Sequence, residues 1–272
     1  MSAAFAGKRA LITGAGRGIG RALAFGLAEA GADLVLLARS THQLEDVGAA
    51  LAEQGVGEQC VHVVPADLGD VADRERAIAE IHKLGRIDIL VNNAATVEPL
   101  GPTAEVPDTL LRHAYEVNVF AVYALTRALL PAMIDAGWGR IANISSGVVG
   151  RPQSMVRANA YAATKAALEA HTVSLAAELS GTGVTANVYR PGLVDTSMQT
   201  HIREQDRDRI GDAMHEKFNR HVTDRLLISP EQSATSLIAR LEGEANGEIW
   251  LVDASGEGNR AVEGRVPHAA EG

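Results

Sequence analysis

Short aliphatic and β-branched runs alternate with longer helical patterns from Arg9 to Asp253, and no other feature constrains the fold of this 272-residue chain as strongly. A strand followed by a helix returns to the same sheet by crossing over it. Repeating that order predicts parallel strands with helices on both faces. The runs at 9–13, 34–38, 61–64, 87–92, 140–145, 184–189 and 248–252 read as strands. Helical periodicity fills 18–30, 41–54, 71–84, 107–136, 159–180 and 230–241. The expected class is therefore α/β, a doubly wound parallel sheet of about seven strands.

No Pro/Gly/Ser linker and no internal repeat divides the series, so residues 1–272 are expected to form a single domain. Two stretches depart from the alternation. Residues 196–228 carry mixed charge, with Met198, Ile202, Ile210, Met214 and Phe218 spaced at multiples of four. That spacing suits either an amphipathic flap or a surface helix packed on its own domain. Residues 254–272 lack periodicity and read as a loosely ordered tail.

Aromatic residues make up only 4% of the chain, so its apolar burial must rest on Ala, Val, Leu and Ile. A net charge of −9 argues against a nucleic-acid or anionic-membrane partner, because both require a cationic surface. Cys60 is the only cysteine, which excludes an intramolecular disulfide and a thiolate metal cluster. The histidines form no ligand pattern, and no metal is expected. Residues 1–7 lack the apolar run of a signal peptide, and no stretch reads as a membrane span. The expectation is a cytoplasmic protein.

Directly after the first strand stands Thr13-Gly14-Ala15-Gly16-Arg17-Gly18-Ile19-Gly20, which opens a helix. Glycines there let the backbone approach a pyrophosphate, while the helix N-terminus offers unpaired N–H groups. Ile19 stands where the last glycine of the common Gly-x-Gly-x-x-Gly spacing would be. The match is Gly14-x-x-x-Gly18-x-Gly20. An acid at the end of the second strand would repel a ribose 2′-phosphate, but that end reads Leu37-Ala38-Arg39-Ser40. Arg39 and Arg17 flank the same ribose position, which favours NADP(H) over NAD(H).

Tyr161 and Lys165 lie four residues apart at the start of a helix, on one face. A nearby ammonium favours the phenolate and would bring the phenol closer to acid–base work. With these motifs in order, the chain resembles a classical short-chain dehydrogenase/reductase over residues 7–253. The resemblance is carried by the glycine loop, Asp67, Asn92-Asn93-Ala94-Ala95, Asn118, Ser145-Ser146, Tyr161 with Lys165, and the run from Pro191 to Thr196. It implies a Rossmann-type fold in which Tyr161 gives a proton to the substrate oxygen as hydride arrives from the nicotinamide. Lys165 would bond the nicotinamide ribose and lower the Tyr161 pKa. Ser146 would hydrogen-bond the carbonyl, and Asn118 would hold a water linking Lys165 to solvent. Asp67 with Leu68 would meet the adenine, and Asn93 with Ala94 would line the cofactor cleft. Pro191, Gly192, Val194 and Thr196 would face the nicotinamide, Val194 and Thr196 holding its carboxamide.

Two positions depart from the pattern. Ala95 replaces the usual glycine, and the segment between Ser146 and Tyr161 is about two residues longer than in many members. The runs 97–102 and 194–199 resemble the sepiapterin and benzil reductase branch. The implied function is NADPH-dependent reduction of a ketone or aldehyde, with alcohol oxidation or non-catalytic NADP(H) sensing as alternatives. The family also implies a homodimer or homotetramer built through the helices at 107–136 and 159–180.

Overall fold

The computed structural model describes residues 3–57 and 60–252, so the tail expected at 254–272 lies outside the described residues. Seven strands, β1 (Arg9–Thr13), β2 (Asp33–Ala38), β3 (Val61–Pro65), β4 (Ile89–Asn92), β5 (Gly139–Ile144), β6 (Val184–Arg190) and β7 (Ile249–Leu251), make one sheet. Their order is β3-β2-β1-β4-β5-β6-β7 and every pairing is parallel. β4 begins two residues later than the sequence suggests. There the Asp88 carboxylate accepts from the Arg9 N–H at 2.9 Å, so a side chain takes over from the ladder.

Alternation along the strands divides the core between two faces. Ile12, Leu34, Leu36, Ile89 and Ala142 point to one side, where they meet α1 (Gly18–Glu29), α2 (Thr41–Glu53) and α10 (Pro230–Leu241). Leu11, Val35, Leu37, Leu90 and Ile141 point to the other, against α3 (Val71–Lys83), α5 (Ala121–Asp135) and α6 (Asn159–Glu178). Strands covered on both faces carry continuous apolar runs rather than alternating ones, which is how they read in the sequence.

The helix expected at 107–136 is composite. It runs through α4 (Asp108–Tyr115), a π turn (Glu116–Phe120) and α5. By length and composition alone, Asp108–Asp135 could cross a membrane, which the sequence reading had not registered, but half of its most apolar window is buried within the protein. Leu125, Leu129 and Met133 spend its apolar face on the sheet.

After β6, Val194 forms a parallel bridge with Ile228. Between them lie α7 (Ser197–Arg203), α8 (Arg207–Ile210) and α9 (Asp212–Thr223), three helices where the spacing suggested one face of one helix. Gly211, at φ +80°, separates α8 from α9. Ile202, Ile210, Met214 and Phe218 are all buried, packed with Val97, Leu100, Val148, Met155 and Tyr161 in a third apolar cluster.

Candidate active site

The order in which strands are added to the sheet reverses between β1 and β4, and a cleft of about 670 Å³ opens at their carboxyl ends. Open parallel sheets bind ligands at this switch point. Gly14 takes φ +66° as the chain leaves β1. A side chain at Gly20 would run into the Gly14 carbonyl oxygen and come within 2.6 Å of Asn93 Nδ2. The loop is thus folded tightly on itself. Asn93 Nδ2 donates to the carbonyls of Thr13 at 2.9 Å and Gly14 at 3.3 Å. The buried Thr13 hydroxyl accepts from the N–H groups of Asn93 at 3.0 Å and Ala94 at 2.9 Å. These contacts bind the glycine loop to the end of β4.

At one end of the cleft β2 stops at Ala38, and Arg39 and Arg17 project exposed into the lining. Among the described residues, neither is paired with a carboxylate. The Asp67 carboxylate is turned inward and accepts from the Gly69 N–H at 2.8 Å. Its neighbour Leu68 is fixed from behind, because the buried Arg74 donates to the Leu68 carbonyl at 2.8 Å and to Glu116 at 3.0 Å. His113 closes this end against Gly69, leaving no room there for a side chain.

At the other end the start of α6 places Tyr161 and Lys165 on the cleft wall. The Lys165 ammonium is 2% exposed and donates to the Ile144 carbonyl at 2.7 Å. Burial pushes its pKa down to about 8, against an opposing pull from the Glu169 carboxylate. Burial also pushes the Tyr161 phenol above its ordinary value, while hydrogen bonding from Ser146 works the other way. This direction is opposite to the one that the Tyr–Lys spacing suggests. The ammonium lies 5.9 Å from the Tyr161 ring centre and is engaged by Ile144. Desolvation therefore outweighs it.

Asn118 is fully buried in the π turn. Its Nδ2 donates to the Thr96 carbonyl at 2.9 Å and to the Thr164 hydroxyl at 3.0 Å, and its Oδ1 accepts from the Thr96 N–H at 2.9 Å. All three bonds are internal, so a water at this residue would have to sit on its main chain. Asn118 joins the composite helix to the loop after β4 and to α6.

Most of the residues singled out from the sequence line the cleft: Gly14, Gly16, Arg17, Gly18, Ile19, Arg39, Asp67, Leu68, Asn93, Ala94, Tyr161, Lys165, Pro191 and Thr196. Five do not. Gly20 and Asn118 lie behind the wall, Val194 is buried in its bridge to Ile228, and a side chain at Gly192 would meet Val252. Ser146 stands at the edge, its hydroxyl accepting from the Val148 N–H at 3.3 Å. No sequence motif falls on Gln43, Thr96 or His113, which also line the cleft, and Glu98 lines it from the run 97–102, where no role was assigned to it. Met198 and His201 also line it, as a flap over the cleft would require.

The same architecture recurs in known proteins. A family model described as short chain dehydrogenase matches residues 8–207. The 3-oxoacyl-acyl-carrier-protein reductase of Escherichia coli (strain K12) is 36% identical over 203 residues, 75% of this chain and 80% of that one. L-Sorbose reductase from Gluconobacter frateurii, solved with NADPH and L-sorbose, is 30% identical, with a TM-score of 0.80 over 93% of this chain and 97% of that one. The 3-ketoacyl-(acyl-carrier-protein) reductase from Brucella melitensis, solved with NADH, is 28% identical, with a TM-score of 0.76 over 92% of this chain and 98% of that one. A glycine loop locked to β4 and a Tyr161–Lys165 pair facing one cleft agree with these matches, and the chain belongs to the short-chain dehydrogenase family of oxidoreductases.

Proposed function

We propose that this chain is an NADPH-dependent reductase of a ketone or aldehyde, with Tyr161 as the proton donor. The observation that carries this reading is the Tyr161 phenol, buried on the wall of the cleft that the glycine loop and Lys165 also line. A protonated phenol there can serve as the acid of reduction, and in the reverse direction its phenolate would be the base. A pure NADP(H) sensor has no use for a phenol and an ammonium buried together.

The cleft fits a dinucleotide. Its glycine loop would hold the pyrophosphate at the start of α1, where added Cβ atoms at Gly14 and Gly20 would collide with Asn93. Arg39 and Arg17 would take the 2′-phosphate in charge-assisted contacts. Asp67 and Leu68 would bracket the adenine, and Pro191 and Thr196 would border the nicotinamide. When bound, NADPH supplies the hydride. Lys165, fixed on Ile144, holds a positive charge below about pH 8 and steadies the negative charge that develops on the phenol oxygen as the proton leaves. Ser146 presents its hydroxyl beside the phenol and orients the same carbonyl oxygen.

The helices α7 to α9 cover the substrate end as a cap, with Met198 and His201 on its inner face. Two copies would pair through the composite helix and α6, where Phe120 and Tyr123 are each 50% exposed and Val173 is 44% exposed.

The test is NADPH oxidation followed against a panel of ketones, diketones and aldehydes, in the parent and in Tyr161→Phe. The reading expects turnover in the parent and its loss in Tyr161→Phe with NADPH binding retained. No turnover in the parent across the panel, with NADPH still bound, would favour the sensor.

A further inference from the structure

One turn beyond Lys165, on the same face of α6, stands a carboxylate that no motif requires. Glu169 Oε1 accepts from the Ser145 hydroxyl at 2.6 Å and from Arg190 Nε at 2.8 Å. Its Oε2 accepts from Arg190 Nη2 at 2.7 Å. The Glu169 side chain is 8% exposed and that of Arg190 18%. A forked pair taken out of water gives little net stability, because desolvating both charges consumes most of their attraction. Stability alone is therefore a poor reason for its presence.

The pair sits where it acts on the reaction centre. Helix α6 grips the end of β5 twice, with Lys165 on the Ile144 carbonyl and Glu169 on the Ser145 hydroxyl. The next residue is Ser146. Arg190, at the end of β6, fixes Glu169 from the far side, and the Ser145 N–H donates to Tyr189 on that strand at 2.8 Å. The titratable groups on α6 beside Lys165 are Tyr161 and Glu169, of which Glu169 acts on the ammonium, and Arg190 from β6 reaches it through its pair with Glu169. The end of β5 contributes only a neutral carbonyl and a hydroxyl.

We propose that Glu169, clamped by Arg190, is a positioning residue that holds the Lys165 ammonium and the Ser145–Ser146 end of β5 in register, with Arg190 moderating its field. This rests on the reading of Lys165 as part of the cleft chemistry. The arrangement gives the two partners opposite electrostatic effects on Lys165. Removing Glu169 takes away the carboxylate that favours the Lys165 ammonium, while removing Arg190 leaves that carboxylate unmatched and its field on Lys165 stronger.

The chain has four lysines, Lys8, Lys83, Lys165 and Lys217, so the Lys165 side-chain signal can be assigned by substitution. Lysine side-chain NMR titration of the full chain, without and with NADPH, should give Lys165 a midpoint near 8. Glu169→Gln should lower it by about one pH unit, Arg190→Gln should raise it, and the double variant should lie between them. In the carbonyl panel, the alkaline limb of kcat/KM should move in the same directions, with Glu169→Asp restoring most of the shift. Shifts of the same sign in both single variants, or none in folded Arg190→Gln, would overturn the proposal. If the reductase reading alone is wrong, the parent shows no turnover but the NMR shifts persist.

Discussion

The ammonium of Lys165 donates to the main-chain carbonyl of Ile144 across the interface between α6 and β5. Among the described residues that bond is its only one, and burial without further partners pushes its pKa down.

Lys165→Met should therefore make the protein more stable while abolishing turnover. The shift from 10.5 to about 8 corresponds to about 3 kcal/mol of penalty for the charged form at neutral pH. Orphaning the Ile144 carbonyl costs about 1 to 2 kcal/mol, so a net gain of about 1 to 2 kcal/mol is expected by denaturant unfolding at pH 7. The sign with pH follows from the same shift. Between about pH 8 and 10.5 the unfolded chain binds the proton that the folded chain has lost, so the Lys165 contribution to stability rises with pH in that window. The Met variant should lack that rise. An equal or greater loss of stability in Lys165→Met would contradict this account.

Arg39→Ala should raise KM for NADPH about tenfold, the usual value of a charge-assisted contact, and leave KM for NADH nearly unchanged. Arg39→Asp should reverse the preference, since an acid at the end of β2 suits a free ribose hydroxyl. Steady-state kinetics with both cofactors decides, and parallel losses for both would remove Arg39 from the 2′-phosphate site.

Gly20→Ala should disturb the glycine loop and the side chain that ties it to β4. Its methyl would overlap the Gly14 carbonyl and the Asn93 side-chain amide, which itself bonds the Thr13 and Gly14 carbonyls. A loss of about 1 to 3 kcal/mol in stability and at least tenfold weaker NADPH binding are expected, read by thermal unfolding and fluorescence titration.

Asn118→Ala should act first on stability. It leaves the half-buried Thr96 N–H and carbonyl without their partner, while the Thr164 hydroxyl keeps its bond to the Tyr161 carbonyl, at a cost of about 2 kcal/mol. A fall in Tm of several degrees should accompany any loss of turnover. Unchanged Tm with lost activity would assign Asn118 a purely chemical role.

Phe120→Glu and Tyr123→Glu should convert a dimer into monomers in light scattering, because charge would be placed on the exposed apolar face of the composite helix. Unaltered mass in both variants would move the contact elsewhere.

The sheet and its crossovers were legible because the strands are apolar on both faces and the helices are long enough to show their period. The glycine loop was legible because tight turns leave few residue choices. What escaped was set by tertiary contact. The spacing of Tyr161 and Lys165 places them on one face, but it carries no information on how deeply α6 is buried, and burial decides the direction of both pKa shifts. Likewise the four-residue spacing from Met198 to Phe218 identified an apolar face, while Gly211 and the turns that break it into three helices are local events beneath that period. His113 and Thr96 fall in no motif, and only folding brings them to the cleft.

The bridge between Val194 and Ile228, with Asp195 N–H donating to the Ile228 carbonyl at 2.9 Å and Ile228 N–H to the Leu193 carbonyl at 2.8 Å, closes the base of the segment carrying α7, α8 and α9. The family match ends at residue 207, inside that segment. A closed base lets the excursion above it vary in length and composition without disturbing β6 or α10.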